Sequence, residues 1–277
     1  MSGFSVNTNG GALIALQNLT TTNFALEETQ SRINTGLEVA SAKDDGAVFA
    51  IAQNQRADIA SYNAVSQSLN RAISAVDVAL AAGEAISDIL VELKEKALSA
   101  SDASLDADSR TAYNTDFVAL RDQIQQVLDN AEFNGLNLLN GTTTGIVALA
   151  SADGTSTITV QDEDLSLSGS IISVTTSATP INTATRAAAA ITTVENSLNA
   201  VNQALARLGT SSKALEVQDT FVTKISDALT VGVGNLVDAD LATESARLQS
   251  LQVKQQLGIQ ALGIANQQPQ NVLSLFR

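Results

Sequence analysis

The sequence predicts a mainly α fold: an elongated rod of long antiparallel, coiled-coil-like helices with a small β insertion at the distal end. Three observations point there. The apolar residues are mostly Ala, Leu, Val and Ile, with 3% aromatics and two prolines in 277 residues. Ala and Leu are strong helix formers, and few prolines mean few helix breaks, so the composition leans helical. A seven-residue apolar repeat runs through four long stretches, the seam spacing of packed helices. Between the third and fourth of the predicted helices lies a segment rich in Ser, Thr and Gly with β-branched alternation.

The first helix is predicted over 11–35. Ala12, Leu19, Leu26 and Ile33 share one register, with Leu16 beside them, and Gly36 stands where a left-handed C-terminal cap belongs. The second is predicted over 57–100. Ile59, Ile73 and Leu80 form one seam position, and Tyr62, Leu69, Val76, Leu90 and Ala97 the other. Beyond Gly83 the first register meets Ser87 and Lys94 while Ile86 and Leu93 take over, which reads as a stutter. A shorter helix over 109–130 has Asp106 or Asp108 as its cap.

"FNGLNLLNGTTTGIVALASADGTSTITV" opens the β region, expected over 142–180, with Asn134-Gly135, Asn140-Gly141 and Asp153-Gly154 as turn signals. The strongest repeat follows: Ala187, Val194, Val201, Leu208, Leu215, Val222 and Leu229, with Ile191, Leu198 and Leu205 as the second seam position. Such a helix of ~45 residues is roughly 65–70 Å long. The last helix starts near Asp238 and carries Leu241, Leu248, Leu251, Leu257 and Leu262 toward Gln268. The expected bundle core is Leu69, Ile73, Val76, Leu80, Leu90, Val194, Leu198, Val201, Leu205, Leu208 and Leu215. An antiparallel layout brings the first and last helices side by side.

Both ends of the chain lack charge. No side chain before Glu27 is charged, and none from Gln255 to Phe276, in a chain of net charge −14. Polar amides such as Gln255, Gln260 and Asn266 interrupt the last helix, so it is not expected to enter a membrane. The start lacks the basic flank of a secretory signal. The acidic surface disfavours nucleic acid and anionic lipid. With no Cys and no His, thiolate chemistry, His acid–base catalysis and zinc sites of the usual ligand set are removed. No catalytic, cofactor or metal site is expected. Asp44 and Asp45 read as a capping turn, and Asp162, Glu163 and Asp164 as a solvated loop. Uncharged apolar and amide surfaces can be buried between copies without stranding an ion. Leu and Ile there contribute about 1.5–3 kcal/mol each on full burial. Without a polymer, such ends have little to pack against and are expected to be disordered.

The runs "SVNTN", "NLTTTNFALEETQSRINTGLEVASAKDDGAVFAIA" and "FNGLNLLNG", together with "DADLATESARLQSLQVKQQLGIQALGIANQQPQNVL" near the other end, resemble bacterial flagellin. The resemblance covers roughly 1–140 and 185–277. Two departures fall in the connector. Leu37 follows Gly36 where the family usually has Arg-Ile-Asn, and the family's Asp-Asp-Ala-Ala-Gly turn reads Asp44, Asp45, Gly46, Ala47, Val48.

The resemblance implies a homopolymeric, extracellular filament subunit serving swimming motility, exported through the flagellar type III apparatus. Residues 1–36 and 238–277 would pair as an inner tube, 37–56 and 231–237 would connect, 57–141 and 181–230 would form an outer tube, and 142–180 would face solvent. The expected polymer contacts are Leu13, Leu16, Leu19, Leu26, Ile33, Leu241, Leu248, Leu251, Leu257, Leu262, Gln255 and Gln260. Flagellar cap and hook-associated junction proteins are the implied partners, with an export chaperone on the last helix. Thr143, Thr155, Ser156, Thr157, Ser168 and Ser170 are candidates for O-glycosylation. Many family members are detected by an innate immune receptor through an Arg on the second helix. Glu92 occupies that place in "ILVELKEKALS", which implies weak or absent detection. A hook–filament junction protein that makes no long filaments is the alternative reading.

Overall fold

The computed structural model describes residues 8–167, 169–174 and 180–274, with side chains through residue 267. The order is α1 (Gly10–Thr35), α2 (Gly46–Ala100), α3 (Ala107–Asn130), β1 (Ile146–Leu149), β2 (Thr157–Val160), α4 (Ala184–Val237) and α5 (Leu241–Ser274). Its contacts divide the chain into two compact units. One takes in the chain through Ala57 and from Ala228 onward, the other runs from Asp58 to Asp227, and α2 and α4 contribute to both.

Local chemistry sets the helix ends. Asn9 caps α1 by accepting from the Ala12 N–H, and Gly36 closes it at φ 72°, donating to the Arg32 carbonyl. Asp106 caps α3 through the Ser109 N–H, and Asp240 accepts from the N–H groups of Ala242 and Thr243 at the start of α5. The second helix begins eleven residues earlier than its heptads suggest. Asp45 Oδ1 accepts from the N–H groups of Ala47 and Val48, so the segment 37–56 expected as a connector is helical from Gly46 onward. Likewise α4 runs through 231–237 without a break, despite Gly232 and Gly234. A helical glycine costs only about 1 kcal/mol against alanine, and the rest of the helix outweighs two of them.

In the first unit α1 packs against α5. The chain joins them through an isolated antiparallel bridge between Leu37 and Asp238. Glu38 N–H donates to Val237 O at 2.7 Å, and Ala239 N–H to Gly36 O at 2.9 Å. Both end helices are thus formed and paired within a single chain.

In the second unit the repeat becomes a core. Leu69, Val76, Leu90, Val194, Val201, Leu208 and Leu215 are buried, and Ile73, Leu80, Leu198 and Leu205 pack half-buried against them. The seam changes hands at Gly83, where Ile86, Leu93 and Ala100 take the buried place. A Cβ on Gly83 would stand 2.6 Å from Leu205 Cδ2, so glycine lets α2 and α4 approach closely there.

The insertion between α3 and α4 has less sheet than its composition suggests. A turn at Asn134 (φ 53°) and Gly135 (φ 80°) joins the bridged Phe133 and Leu136. Beyond it, β1 and β2 form one antiparallel hairpin with Ile146 opposite Val160. The hairpin folds back along α2 and α4: Leu149 N–H donates to Ser68 Oγ at 3.2 Å, and Gln218 Nε2 to Ala150 O at 2.9 Å. The segment after it is irregular but apolar, and Leu165, Leu167, Ile172 and Val174 are buried in the bundle's core. The expected solvent-facing insertion therefore has an inward face as well. Val147 and Leu149 stay exposed while Ala148 and Val160 do not, the alternation of a half-buried strand pair.

Candidate functional site

Three polar links fix how α1 and α5 meet. Asn9 Nδ2 donates to Ala265 O at 2.7 Å, Gln255 Nε2 to Asn23 Oδ1 at 2.8 Å, and Arg32 Nη1 to Glu244 Oε1 at 3.1 Å. Residue numbers rise on one helix as they fall on the other, so the pair is antiparallel. A Cβ on Gly258 would lie 3.2 Å from Leu19 Cδ1. That close approach seats the Leu19 side chain on bare backbone.

The pair is clasped at the end nearest the connector. Arg32 meets Glu28 at 2.9 Å, Glu38 at 3.8 Å and Glu244 at 3.1 Å, and Arg247 adds a contact to Glu244 at 3.8 Å. Partial burial alone would lower the Arg32 pKa. The hydrogen bond to Glu244 and the three surrounding carboxylates outweigh it and raise the pKa above its ordinary value. Glu244 is buried, and its Oε2 and the buried Thr29 Oγ1 have no hydrogen-bond partner among the described residues.

The helical period sorts the expected contact residues into faces. Leu19, Leu26, Ile33, Leu248, Leu262 and Gln255 are half-buried and Leu251 is buried, on or beside the seam between α1 and α5. Leu13, Leu16, Leu241 and Leu257 are 61%, 50%, 49% and 57% exposed, and Gln260 is exposed too. The heptads do not register Ile14, Phe24, Val253, Ile259 and Ile264, all more than half exposed. Leu13, Leu16 and Phe24 share one face of α1, and Val253, Leu257 and Ile264 one face of α5. A pattern search that follows the seam passes over residues pointing away from it. The available signal is a large apolar side chain out of register in an uncharged helix.

The other singled-out residues are spread out. Thr155, Ser156, Thr157 and Ser170 are exposed and Thr143 half-buried. Thr155 Oγ1 donates to Asp153 and Thr143 Oγ1 to Asn137 O. Ser168 lies outside the described residues. Glu92 is exposed on α2. Asp44 Oδ2 accepts from Ser41 N–H and Oγ and from Ala40 N–H, bonds that hold its pKa below the usual carboxylate range, the Ser41 backbone bond foremost. Glu163, expected in a solvated loop, is instead buried and receives both Nε and Nη2 of Arg207 at 2.6 Å. That fork ties the insertion to α4, a non-local partner the sequence does not show. No group of three or more potential metal-ligating residues occurs among the described residues, and no described helix is long and apolar enough to cross a membrane.

Fold and surface define a class: a long-helix structural subunit whose end helices keep apolar faces that one chain leaves uncovered. Residues 6–144 match the family model of the bacterial flagellin N-terminal helical region, and residues 191–276 that of the bacterial flagellin C-terminal helical region. The chain is 55% identical over 273 residues to the flagellin FljK of Caulobacter vibrioides, covering 99% of this chain and 98% of that one. It is 37% identical over 281 residues to a flagellin of Brucella melitensis, covering 99% of each. Solved structures share the fold alone. The crystal structure of Bacillus cereus flagellin aligns with a TM-score of 0.50 at 23% identity, over 56% of this chain and 88% of that one. A putative flagellar hook-associated protein from Vibrio parahaemolyticus aligns at 0.58 and 14%, over 70% of this chain and all of that one. The chain belongs to the bacterial flagellin family, a family of structural subunits that self-polymerise into the flagellar filament.

Proposed function

We propose that the α1–α5 pair is the cohesive element of the filament, forming its inner tube, while 57–141 and 181–230 form the outer tube. The observation that carries this is the uncovered apolar surface of two uncharged helix stretches: Leu13, Leu16, Phe24, Leu257 and Ile264 are each at least half exposed. Copies stacked through these faces bury apolar side chains at about 1.5–3 kcal/mol each, with no ion to desolvate. Leu19, Leu26, Ile33, Leu248, Leu251 and Leu262 hold the pair together and present those faces.

The same reading covers the partners. The chain leaves the cell by flagellar type III export, a chaperone holds α5 until then, and cap and hook-associated junction proteins bound the finished polymer. O-linked glycans at Thr155, Ser156, Thr157 or Ser170 fit their exposure. Glu92 reverses the charge expected at the immune receptor's contact. Receptor signalling is accordingly expected to be weak or absent, and signalling equal to that of a typical enteric flagellin contradicts this. High identity to flagellins along the whole chain favours the filament subunit over a junction protein.

Seeded assembly tests the core of the proposal. Purified full-length chain added to sheared seeds gives long uniform tubes by negative-stain electron microscopy, while chain lacking residues 240–277 gives none. Tubes from the truncated chain contradict it. A full chain that only makes short stacks favours the junction reading.

A further inference from the structure

The chain has three Asn-Gly steps, at 9–10, 134–135 and 140–141, and they share one latent chemistry. At Asn-Gly the side-chain amide is readily attacked by the next backbone nitrogen, because glycine bends freely and carries no side chain to shield that nitrogen. The structure sets the three apart. Asn9 is held at both ends of its amide: Oδ1 accepts from the Ala12 N–H at 3.1 Å, and Nδ2 donates to Ala265 O at 2.7 Å. Asn140 is half-buried, and its Oδ1 accepts from the N–H and the hydroxyl of Thr142 at 3.1 and 2.6 Å. Gly141 has little room to turn. A Cβ there would stand 2.7 Å from Asp164 Cγ, and Leu138 and Leu139 just before the step are buried.

Asn134 lacks these restraints. It and Gly135 are exposed, with φ of 53° and 80°, the two positive values of a type I′ turn. Phe133 N–H donates to Leu136 O at 2.9 Å, and Leu136 N–H to Phe133 O at 3.0 Å. Those bonds flank the step and use neither reacting group. Among the described residues, the Asn134 amide and the Gly135 N–H have no hydrogen-bond partner. A left-handed φ also costs asparagine more than glycine, so rotation out of the turn relieves strain at Asn134.

We infer that Asn134 is a site of spontaneous covalent modification, deamidation through a succinimide, and that the fold protects Asn140 from the same reaction. Gly135 N attacks Asn134 Cγ, and the new N–Cγ bond closes the ring. The Cγ–Nδ2 bond breaks, and Nδ2 leaves as ammonia with the proton from the Gly135 amide. Water then opens the ring. Cleavage at Cγ gives aspartate, and cleavage at the main-chain carbonyl gives isoaspartate. The isoaspartyl product adds a methylene to the backbone, so the two-residue turn no longer fits the bridge between Phe133 and Leu136. Both of these side chains pack against the bundle's core, so the corner after α3 loosens as the chain ages. The inference is independent of the polymer reading, and failure of assembly leaves it standing.

Ageing the full-length chain in mildly alkaline buffer tests it, read by mass spectrometry with fragmentation that locates the site and separates aspartate from isoaspartate. Asn140 is the reference, because it lies in the same unit as Asn134; opening of the α1–α5 pair would free Asn9. Conversion at 134 is expected to outpace conversion at 140 by on the order of tenfold, the scale set by the two hydrogen bonds that must first break at Asn140. In denaturant both steps are expected to convert at similar rates, since each is then Asn-Gly in an open chain. Thr142→Val removes one bond from Asn140 Oδ1 and is expected to raise conversion at 140 several-fold. Asn134→Gly keeps the turn and is expected to abolish both the product and the age-dependent rise in amide exchange at Phe133 and Leu136. Equal conversion at 134 and 140 in the folded chain overturns the inference. So does a folded chain that stays unmodified at 134 while the unfolded chain is modified there. A folded Thr142→Val chain with unchanged conversion at 140 overturns the protection assigned to Asn140.

Discussion

Arg32 joins the end of α1, the connector and the start of α5 through Glu28, Glu38 and Glu244. Removing it by Arg32→Ala leaves Glu244 buried with no cation but the distant Arg247. Stranding a buried charge costs about 3–5 kcal/mol when both partners are buried. Arg32 keeps a fifth of its side chain exposed, so solvent screening reduces this to roughly 1–3 kcal/mol. The loss is read in the assembled filament, where the first turns of α5 are otherwise expected to be protected, as faster amide exchange there. Glu244→Gln, which keeps the shape and removes the charge, is expected to do less harm.

Acid acts on the caps. Asp240 is held below the usual carboxylate range by the Thr243 hydroxyl and by the backbone of Thr243 and Ala242. The backbone and side chain of Ser109 do the same for Asp106. A carboxyl with a depressed folded pKa contributes stability that is fully present above its unfolded value of about 4, and that is lost as pH falls through the folded value. Thermal stability of the monomer is therefore expected to fall steadily below about pH 4. Between about pH 5 and 8 it stays flat, because the chain has no His. A transition in that upper window contradicts this assignment.

Among the elements, α2 and α4 carry the tightest constraint at Gly83. Gly83→Val puts branched carbon into the space of Leu205, and overpacking of this kind costs about 1–3 kcal/mol. Leu90→Ala removes a fully buried side chain and is expected to cost about 2–5 kcal/mol. Urea unfolding at unchanged m-value measures both.

These are the places where the sequence is most readable. A heptad that runs from Ala187 to Leu229 names its own seam, and even the change of register at Gly83 shows as a break in spacing. The start of α2 is harder to see. Residues 46–57 sit before the first clear seam residue, Ile59, and the decisive signal is one capping side chain, Asp45. The insertion is hardest. Two four-residue strands and a buried irregular segment are held by Glu163–Arg207, Leu149–Ser68 and Gln218–Ala150, contacts between residues far apart in the chain. Composition reports turns and β-branching there but not those partners. At the ends, the missing charge marks the region, while the pairing of α1 with α5 decides which leucines face inward.

At the scale of the whole molecule, the two units differ in how much they bury. The bundle of 58–227 has a continuous buried core and is expected to fold stably in the monomer. The α1–α5 pair buries few side chains, chiefly Leu251, Thr29 and Glu244, and leaves large apolar ones in water, so under the proposed function its helices are expected to open at low free energy until copies cover them. Hydrogen exchange by mass spectrometry, compared between monomer and assembled filament, measures this directly. Fast exchange is expected across 10–35 and 241–267 in the monomer, and strong protection of both in the filament. The buried bundle helices are predicted to be protected in either state. Equal exchange of 10–35 and 241–267 in monomer and filament would contradict it.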